Sequence, residues 1–352
     1  MPAPQTASPG YAPPVLWNAL QLFIGGTLLY FGAEWLVKGS AGLALAYGLR
    51  PLIVGLTVVA YGTSAPELTV GLAAALEGRG AIALGNAIGS NIAHLGLILG
   101  QTTLISPARV DGSLIRREIP FLVITAALVP LLLLDGTLGR IEGAFLCIAS
   151  VVYSAWMIRG SRGGAPAAPA APASPPTEQE RHAIAAAREM AVDAEEAGAP
   201  SGQSKPRLAL ITVVGLGLLV FGGKMFVDGA VGVALGLGMS ERLVGLTIVA
   251  IGTSLPELAT SIVAAMRGHS AIAVGNIIGS NIFNVLIILG GASLARPLEG
   301  QIGAMKIDLL TLGAVTIFGA IAMRTERTLR RVEGAILLAT YVGFLLALIF
   351  AG

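Results

Sequence analysis

Apolar residues run along this chain in long stretches separated by short clusters of Gly, Pro, Arg and acidic residues. A hydrocarbon core about 30 Å thick is crossed by about 20 helical residues. Ten stretches of roughly that length stand out: 16–45, 52–77, 81–105, 118–135, 139–158, 207–236, 243–266, 271–294, 304–323 and 331–350. Val, Ile and Gly abound in them, yet no alternation of apolar and polar positions runs through, which argues against a transmembrane β-barrel. The pattern predicts an all-α membrane protein with ten transmembrane helices.

Composition agrees. The 352 residues are 55% hydrophobic and 12% charged, with a mean hydropathy of +0.80, too little charge to cover a soluble protein of this size. The expected partner is therefore the lipid bilayer. With 22 basic against 20 acidic residues there is no electrostatic footprint for nucleic acid. The single Cys147 excludes an internal disulfide. No organic cofactor is called for, and no oligomeric state is specified.

Lys and Arg set the expected orientation, because cytoplasmic loops hold an excess of them. Fifteen fall on the face that carries the central loop and five on the face that carries the termini. A multi-pass protein of the cell's inner (plasma) membrane follows, with both termini outside and the central loop in the cytoplasm. No Lys or Arg precedes Lys38, so the first span lacks the basic flank of a cleavable signal peptide and is expected to stay. Residues 160–206 form a Gly/Ala/Pro-rich linker with one short helix, opened by a capping box at Thr177 and Glu180. The linker divides the chain into 1–159 and 207–352.

These two parts repeat one another at a constant offset of 190 residues. Gly55 to Glu67 reads GLTVVAYGTSAPE and Gly245 to Glu257 reads GLTIVAIGTSLPE, identical at ten of thirteen positions. AIALGNAIGSNI from Ala81 and AIAVGNIIGSNI from Ala271 agree at ten of twelve. Five spans separate each motif from its copy, and five is odd, so equivalent helices cross in opposite directions. Two inverted five-helix repeats are expected, with paired motifs meeting near mid-membrane, as in secondary transporters. Channels also use such repeats and remain the alternative.

The first motif places Pro66 in the middle of a span. Proline has no N–H for the carbonyl of Gly62 and its ring displaces that carbonyl, so the helix should open there and offer backbone oxygens around Ala60. Thr63 and Glu67 share a face, with Ser64 alongside, and Glu67 opens the next half-helix, where the dipole favours a carboxylate. Thr253, Ser254, Pro256 and Glu257 repeat every element. An ordinary kink would explain Ser, Thr and Pro but not the acid, because a carboxylate at the bilayer centre costs at least about 2.5 kcal/mol. Two such acids with hydroxyl and carbonyl oxygens make a hard cage suited to Ca²⁺.

The second motif, GN-x-x-GSN, adds Asn86, Ser90 and Asn91 and their copies Asn276, Ser280 and Asn281. Their amides and hydroxyls need partners inside hydrocarbon, and Ser90 and Ser280 are candidate direct ligands. One turn on, the halves differ: His94 in the first, Asn284 in the second. Asn offers an amide oxygen, whereas imidazole is a poor ligand for a hard cation but carries a proton near neutral pH. Ser64 with His94 would also suit an intramembrane hydrolase, although Ser and Glu are duplicated and His is not. Glu34 and Lys38, four apart, exchange signs with Lys224 and Asp228, a spacing that suits intrahelical pairs; the structural reading is that they snorkel or bridge bundles near the helix ends, and participation in gating is the alternative. His182 and His269 read as solvated loop residues.

At these motifs the sequence resembles the calcium/cation antiporter superfamily, in its prokaryotic sodium/calcium exchanger-like branch, through both halves. The resemblance implies a ten-helix inverted-repeat antiporter with Ca²⁺ and Na⁺ competing for overlapping sites between the second, third, seventh and eighth helices. It also implies Glu67 and Glu257 as the main carboxylate ligands and Thr63, Ser64, Ser90, Thr253, Ser254 and Ser280 lining the sites. Ala60 and Ala250 would offer carbonyls, and Asn284 fits a position where the family has Asn or Asp. His94 departs from the Asn or Asp usual at its own position, which leaves Na⁺ and H⁺ both open as the counter-ion for Ca²⁺.

Overall fold

The computed structural model describes residues 15–110, 112, 114–161, 204–239, 250–325 and 328–351. In the first part these form α1 (Val15–Ala46), α2 (Pro51–Thr63), α3 (Ala65–Leu76), α4 (Gly80–Ile105), α5 (Ile119–Leu132) and α6 (Arg140–Ser161). The second part holds α7 (Lys205–Gly236), α8 (Ala250–Gly252), α9 (Leu255–Met266), α10 (Ser270–Ala295), α11 (Lys306–Arg324) and α12 (Arg331–Ala351). Seven of the described helices are long and apolar enough to cross a membrane, and the α2–α3 pair, bent by 47°, makes eight. The fourth expected span is α5, a 14-residue helix preceded by a π-turn at Leu114–Glu118. The seventh is described only from Ala250 onward, so its start at 243–249 lies outside the described residues. The linker between 162 and 203 lies outside them too, with the capping box at Thr177 and Glu180 and His182.

Sequence spacing explains the closest helix pair. In α1, Gly25, Gly32 and Gly39 recur every seven residues, as do Gly215, Gly222 and Gly229 in α7. A side chain at Gly32 would lie 2.7 Å from the Leu219 amide nitrogen, and one at Gly215 would lie 2.5 Å from that of Leu36. Small residues thus let the two backbones touch, which in hydrocarbon replaces the missing hydrophobic drive with dispersion contacts. The contacts pair Gly25 with Phe226, Gly32 with Leu219 and Gly39 with Thr212, so the helices run antiparallel.

The centre is built from α4 and α10. Of their apolar spans 72% and 94% is buried, against 28% for α7 and 22% for α12. Ile88, Ile92, Leu95, Ile98 and Leu99 of α4 and Ile277, Ile278, Ile282, Leu286 and Ile288 of α10 form the main apolar core. Both helices widen into π-turns at equivalent points, His94–Leu99 and Asn284–Leu289. Such widening is concentrated at functional sites because it re-aims side chains inside an otherwise regular helix. Two short antiparallel ladders, β1 (Ala108–Arg109) with β4 (Thr328–Leu329) and β2 (Thr137–Leu138) with β3 (Leu298–Glu299), join the two parts.

Two local expectations fail. Glu34 does not pair with Lys38 but with Arg267 at the end of α9, at 2.7 Å, while Lys38 is exposed. An intrahelical pair contributes only about 0.2–0.5 kcal/mol, and the packing of α1 along α9 brings a guanidinium to Glu34 instead. Lys224 and Asp228 do form their pair, at 2.7 Å. His269 is not solvated: it is buried at the N-terminus of α10, and burial holds its imidazole below its ordinary value.

Candidate functional site

The chain breaks where proline predicts. The α2 helix stops at Thr63, Ser64 adopts φ −81° and ψ 9°, and α3 starts at Ala65 with Pro66 and Glu67 in its first turn. In the second half α8 stops at Gly252, Ser254 adopts φ −88° and ψ 8°, and α9 carries Pro256 and Glu257 in its first turn. A serine preceding a helix ordinarily caps its own helix, an interaction worth about 1 kcal/mol. Neither serine does so here. Ser64 Oγ donates to Glu257 Oε1 at 2.8 Å, and Ser254 Oγ donates to Glu67 Oε1 at 3.0 Å. Each half-helix start therefore binds the acid of the other half, and the two bonds exchange under the 190-residue offset.

Glu67, Glu257 and His94 are all fully buried, and one carboxylate oxygen from each acid and one ring nitrogen of His94 lie within 4.8 Å of one another. No other such His/Cys/Asp/Glu cluster occurs among the described residues. Glu67 Oε2, Glu257 Oε2, both His94 ring nitrogens, Ser280 Oγ and both polar atoms of the Asn284 side chain have no hydrogen-bond partner among the described residues. Buried polar atoms are nearly always paired, and the unpaired atoms of Glu67, Glu257 and His94, which lie together, have the chemistry of a cation seat. Neither acid has a basic partner among the described ion pairs.

Around the acids, Thr63 Oγ1 donates to Val59 O at 3.0 Å and lies 3.3 Å from Asn276 Oδ1. Asn276 Nδ2 in turn donates to Ser261 Oγ at 3.1 Å, and Asn86 Nδ2 donates to the Glu67 carbonyl at 2.9 Å. Asn91 Nδ2 donates to the Asn281 carbonyl at 3.2 Å. These two asparagines are repeat equivalents, so they meet where the halves face each other. The Ala60 carbonyl accepts the Ser64 N–H at 3.1 Å, whereas the Ser254 N–H goes to Ile251, not Ala250. Ser90 is buried on α4 one turn before His94, and Thr253 is half-buried at the second break.

Sequence reasoning passed over Ser261. It is fully buried on α9, four residues beyond Glu257 and so on the same face, and it holds Asn276. That spacing was the available signal; its equivalent in the first half is Gly71, so the repeat did not flag it. Glu118 is a further buried acid, but it accepts the Tyr153 hydroxyl, whose ring stacks on Phe121 at 4.3 Å, and it does not belong to the cluster.

Paired half-helix breaks, each presenting an acid to the other half inside an apolar helical bundle, are an arrangement found in membrane transporters. The sequence profile of the family described as sodium/calcium exchanger protein matches residues 17–159 and again 207–350, and the chain belongs to that family. It is 37% identical over 326 residues to the putative antiporter CaxA of Alkalimonas amylolytica, covering 92% of this chain and 96% of that one. It is 30% identical over 365 residues to the sodium/calcium exchanger MaX1 of Methanosarcina acetivorans, covering 95% and 99%. Among solved structures it is similar to the sodium-calcium exchanger NCX_Mj, with a TM-score of 0.77 at 28% identity over 95% of this chain and 99% of that one.

Proposed function

We propose that the protein is a secondary antiporter that moves Ca²⁺ out of the cytoplasm against inward Na⁺, by alternating access at a mid-membrane seat shared by Glu67 and Glu257. The observation that carries this reading is the reciprocal pair of hydrogen bonds, Ser64 to Glu257 and Ser254 to Glu67, which ties both acids to one place. Ca²⁺ there neutralises two carboxylates and takes further oxygens from Thr63, Ser90, Thr253, Ser280, Asn284 and the Ala60 and Ala250 carbonyls; Na⁺ ions replace it. With the seat empty, two uncompensated charges would have to cross low-dielectric surroundings, at a cost of several kcal/mol each. Reorientation is therefore restricted to loaded states, which is exchange rather than leak.

The same reading takes the fold as ten transmembrane helices in two inverted repeats of five, with both termini outside and the linker cytoplasmic. Its support is reciprocity: the offset that exchanges the two serine–glutamate bonds also carries β1 onto β3, β2 matches β4 one residue further on, and α1 runs antiparallel to its equivalent α7. Access alternates by sliding of the α1–α7 pair over the α4–α10 centre. In this conformation α1 is packed along α9 and locked by Glu34–Arg267. The offset maps those residues onto Lys224 and Glu77, the same pair with signs reversed. Lys224 is engaged with Asp228, and Glu77 with Arg79 at 3.4 Å. One lock is closed and its counterpart is open, as expected of a molecule that faces one side at a time.

Radiocalcium uptake into reconstituted vesicles tests the proposal. An outward Na⁺ gradient at matched pH should drive uptake. The position of His94 beside both acids favours a second reading, Ca²⁺/H⁺ exchange. Uptake that ignores Na⁺ and follows a pH gradient would select it.

A further inference from the structure

We infer that His94 makes the shared seat a site for borderline divalent cations of the Mn²⁺, Zn²⁺ and Cd²⁺ class as well as for Ca²⁺, so that one half of the site sets hard-ion binding and the other extends its range. The inference rests on the reading of Glu67 and Glu257 as a cation seat. Three observations carry it. The His94 ring is fully buried, with neither nitrogen hydrogen-bonded among the described residues, so packing alone leaves a polar ring unexplained. One of its nitrogens lies within 4.8 Å of an oxygen of each acid. The π-turn that begins at His94 is shared by its equivalent Asn284, so the two side chains hold matching places in their helices and differ only in donor chemistry.

That difference decides which ions fit. An amide oxygen is a hard donor that serves Ca²⁺ and Na⁺. Imidazole nitrogen adds little for those ions but suits Zn²⁺ and its neighbours, which also take carboxylate oxygen, and Mn²⁺ accepts the carboxylates. Bonds of about 2.0 to 2.2 Å put donors roughly 3 to 3.5 Å apart at tetrahedral or right angles. The three donor atoms lie within 4.8 Å of one another, so a bound ion would draw them together.

The full-length protein in detergent should bind radiocalcium, and Cd²⁺ and Sr²⁺ should displace it. Replacement His94→Asn should raise the Cd²⁺ concentration needed by about tenfold while moving the Sr²⁺ concentration far less. Asn284→His, which adds a second imidazole, should lower the Cd²⁺ requirement, so the inference stands on two variants with opposite effects. Equal shifts for Cd²⁺ and Sr²⁺, or no shift in either variant, would overturn it. If radiocalcium does not bind at all, the two-acid reading of Ca²⁺ transport is what fails. Co²⁺ then reports separately: a visible absorption band present in the wild type and lost in His94→Asn supports the imidazole ligand, and a band indifferent to that change overturns it.

Discussion

The two halves share their motifs and differ in how they finish the site. In the second half Asn276 is fully buried and bonded to Ser261, and the apolar stretch of α10 is 94% buried. In the first half Asn86 is half-buried and reaches the backbone of Glu67, Gly71 stands where Ser261 would, and α4 is 72% buried. The first half has an imidazole where the second has an amide, and its break hands the Ser64 N–H to Ala60 where Ser254 chooses Ile251. What is identical, the serine and the acid after each proline break, makes the reciprocal contacts. What differs surrounds them. Duplication therefore preserved the charge-bearing centre, while its supports diverged.

The largest expected effect comes from breaking the identity at the acids. Glu67→Gln or Glu257→Gln should reduce radiocalcium exchange to background, and the two should be equally severe, because each removes half of the compensating charge; exchange near the wild-type rate in either one would remove the site. Next are the serines. A hydrogen bond to a charged group contributes about 1.5–3 kcal/mol, so Ser64→Ala and Ser254→Ala should each weaken Ca²⁺ binding by about tenfold or more in equilibrium titrations. Unequal losses would show that the reciprocity is structural only.

Stability should respond at the helix seam. Gly32→Leu or Gly215→Leu forces apart backbones that touch, and overpacking costs about 1–3 kcal/mol, so thermal unfolding in detergent should occur at lower temperature in both. The smallest effect belongs to the lock. Exposed ion pairs contribute about 0.2–1 kcal/mol, so Arg267→Glu should change by only a few-fold the rate at which a cysteine introduced near the closed side reacts with a polar alkylating reagent. Adding Glu34→Arg should reverse the change. If the single and double variants react alike, the pair does not hold the conformation.

Much of this molecule was legible because its solvent leaves few choices. The described helix boundaries fell within a few residues of the apolar stretches, since lipid forces the backbone to satisfy its own hydrogen bonds. The breaks were legible from Pro66 and Pro256, whose missing N–H has one outcome in a helix. Glu34 was misjudged because spacing sees only neighbours along the helix, while Arg267 arrives from another one. His269 was misjudged because a turn residue looks solvated until the helix after it is buried. Ser261 was passed over because it lies outside the repeated motif.

Sequence alone determined the medium, the duplication and the residues that bear charge, because hydropathy, a constant offset and chemical type are properties of the chain read in one dimension. Tertiary structure decided which acid meets which serine, that His94 lies beside both acids, and that Glu34 pairs with Arg267 while Lys224 and Glu77 pair with near neighbours. Those depend on how helices far apart in the chain cross, and a linear pattern encodes such crossings only through the packing it allows.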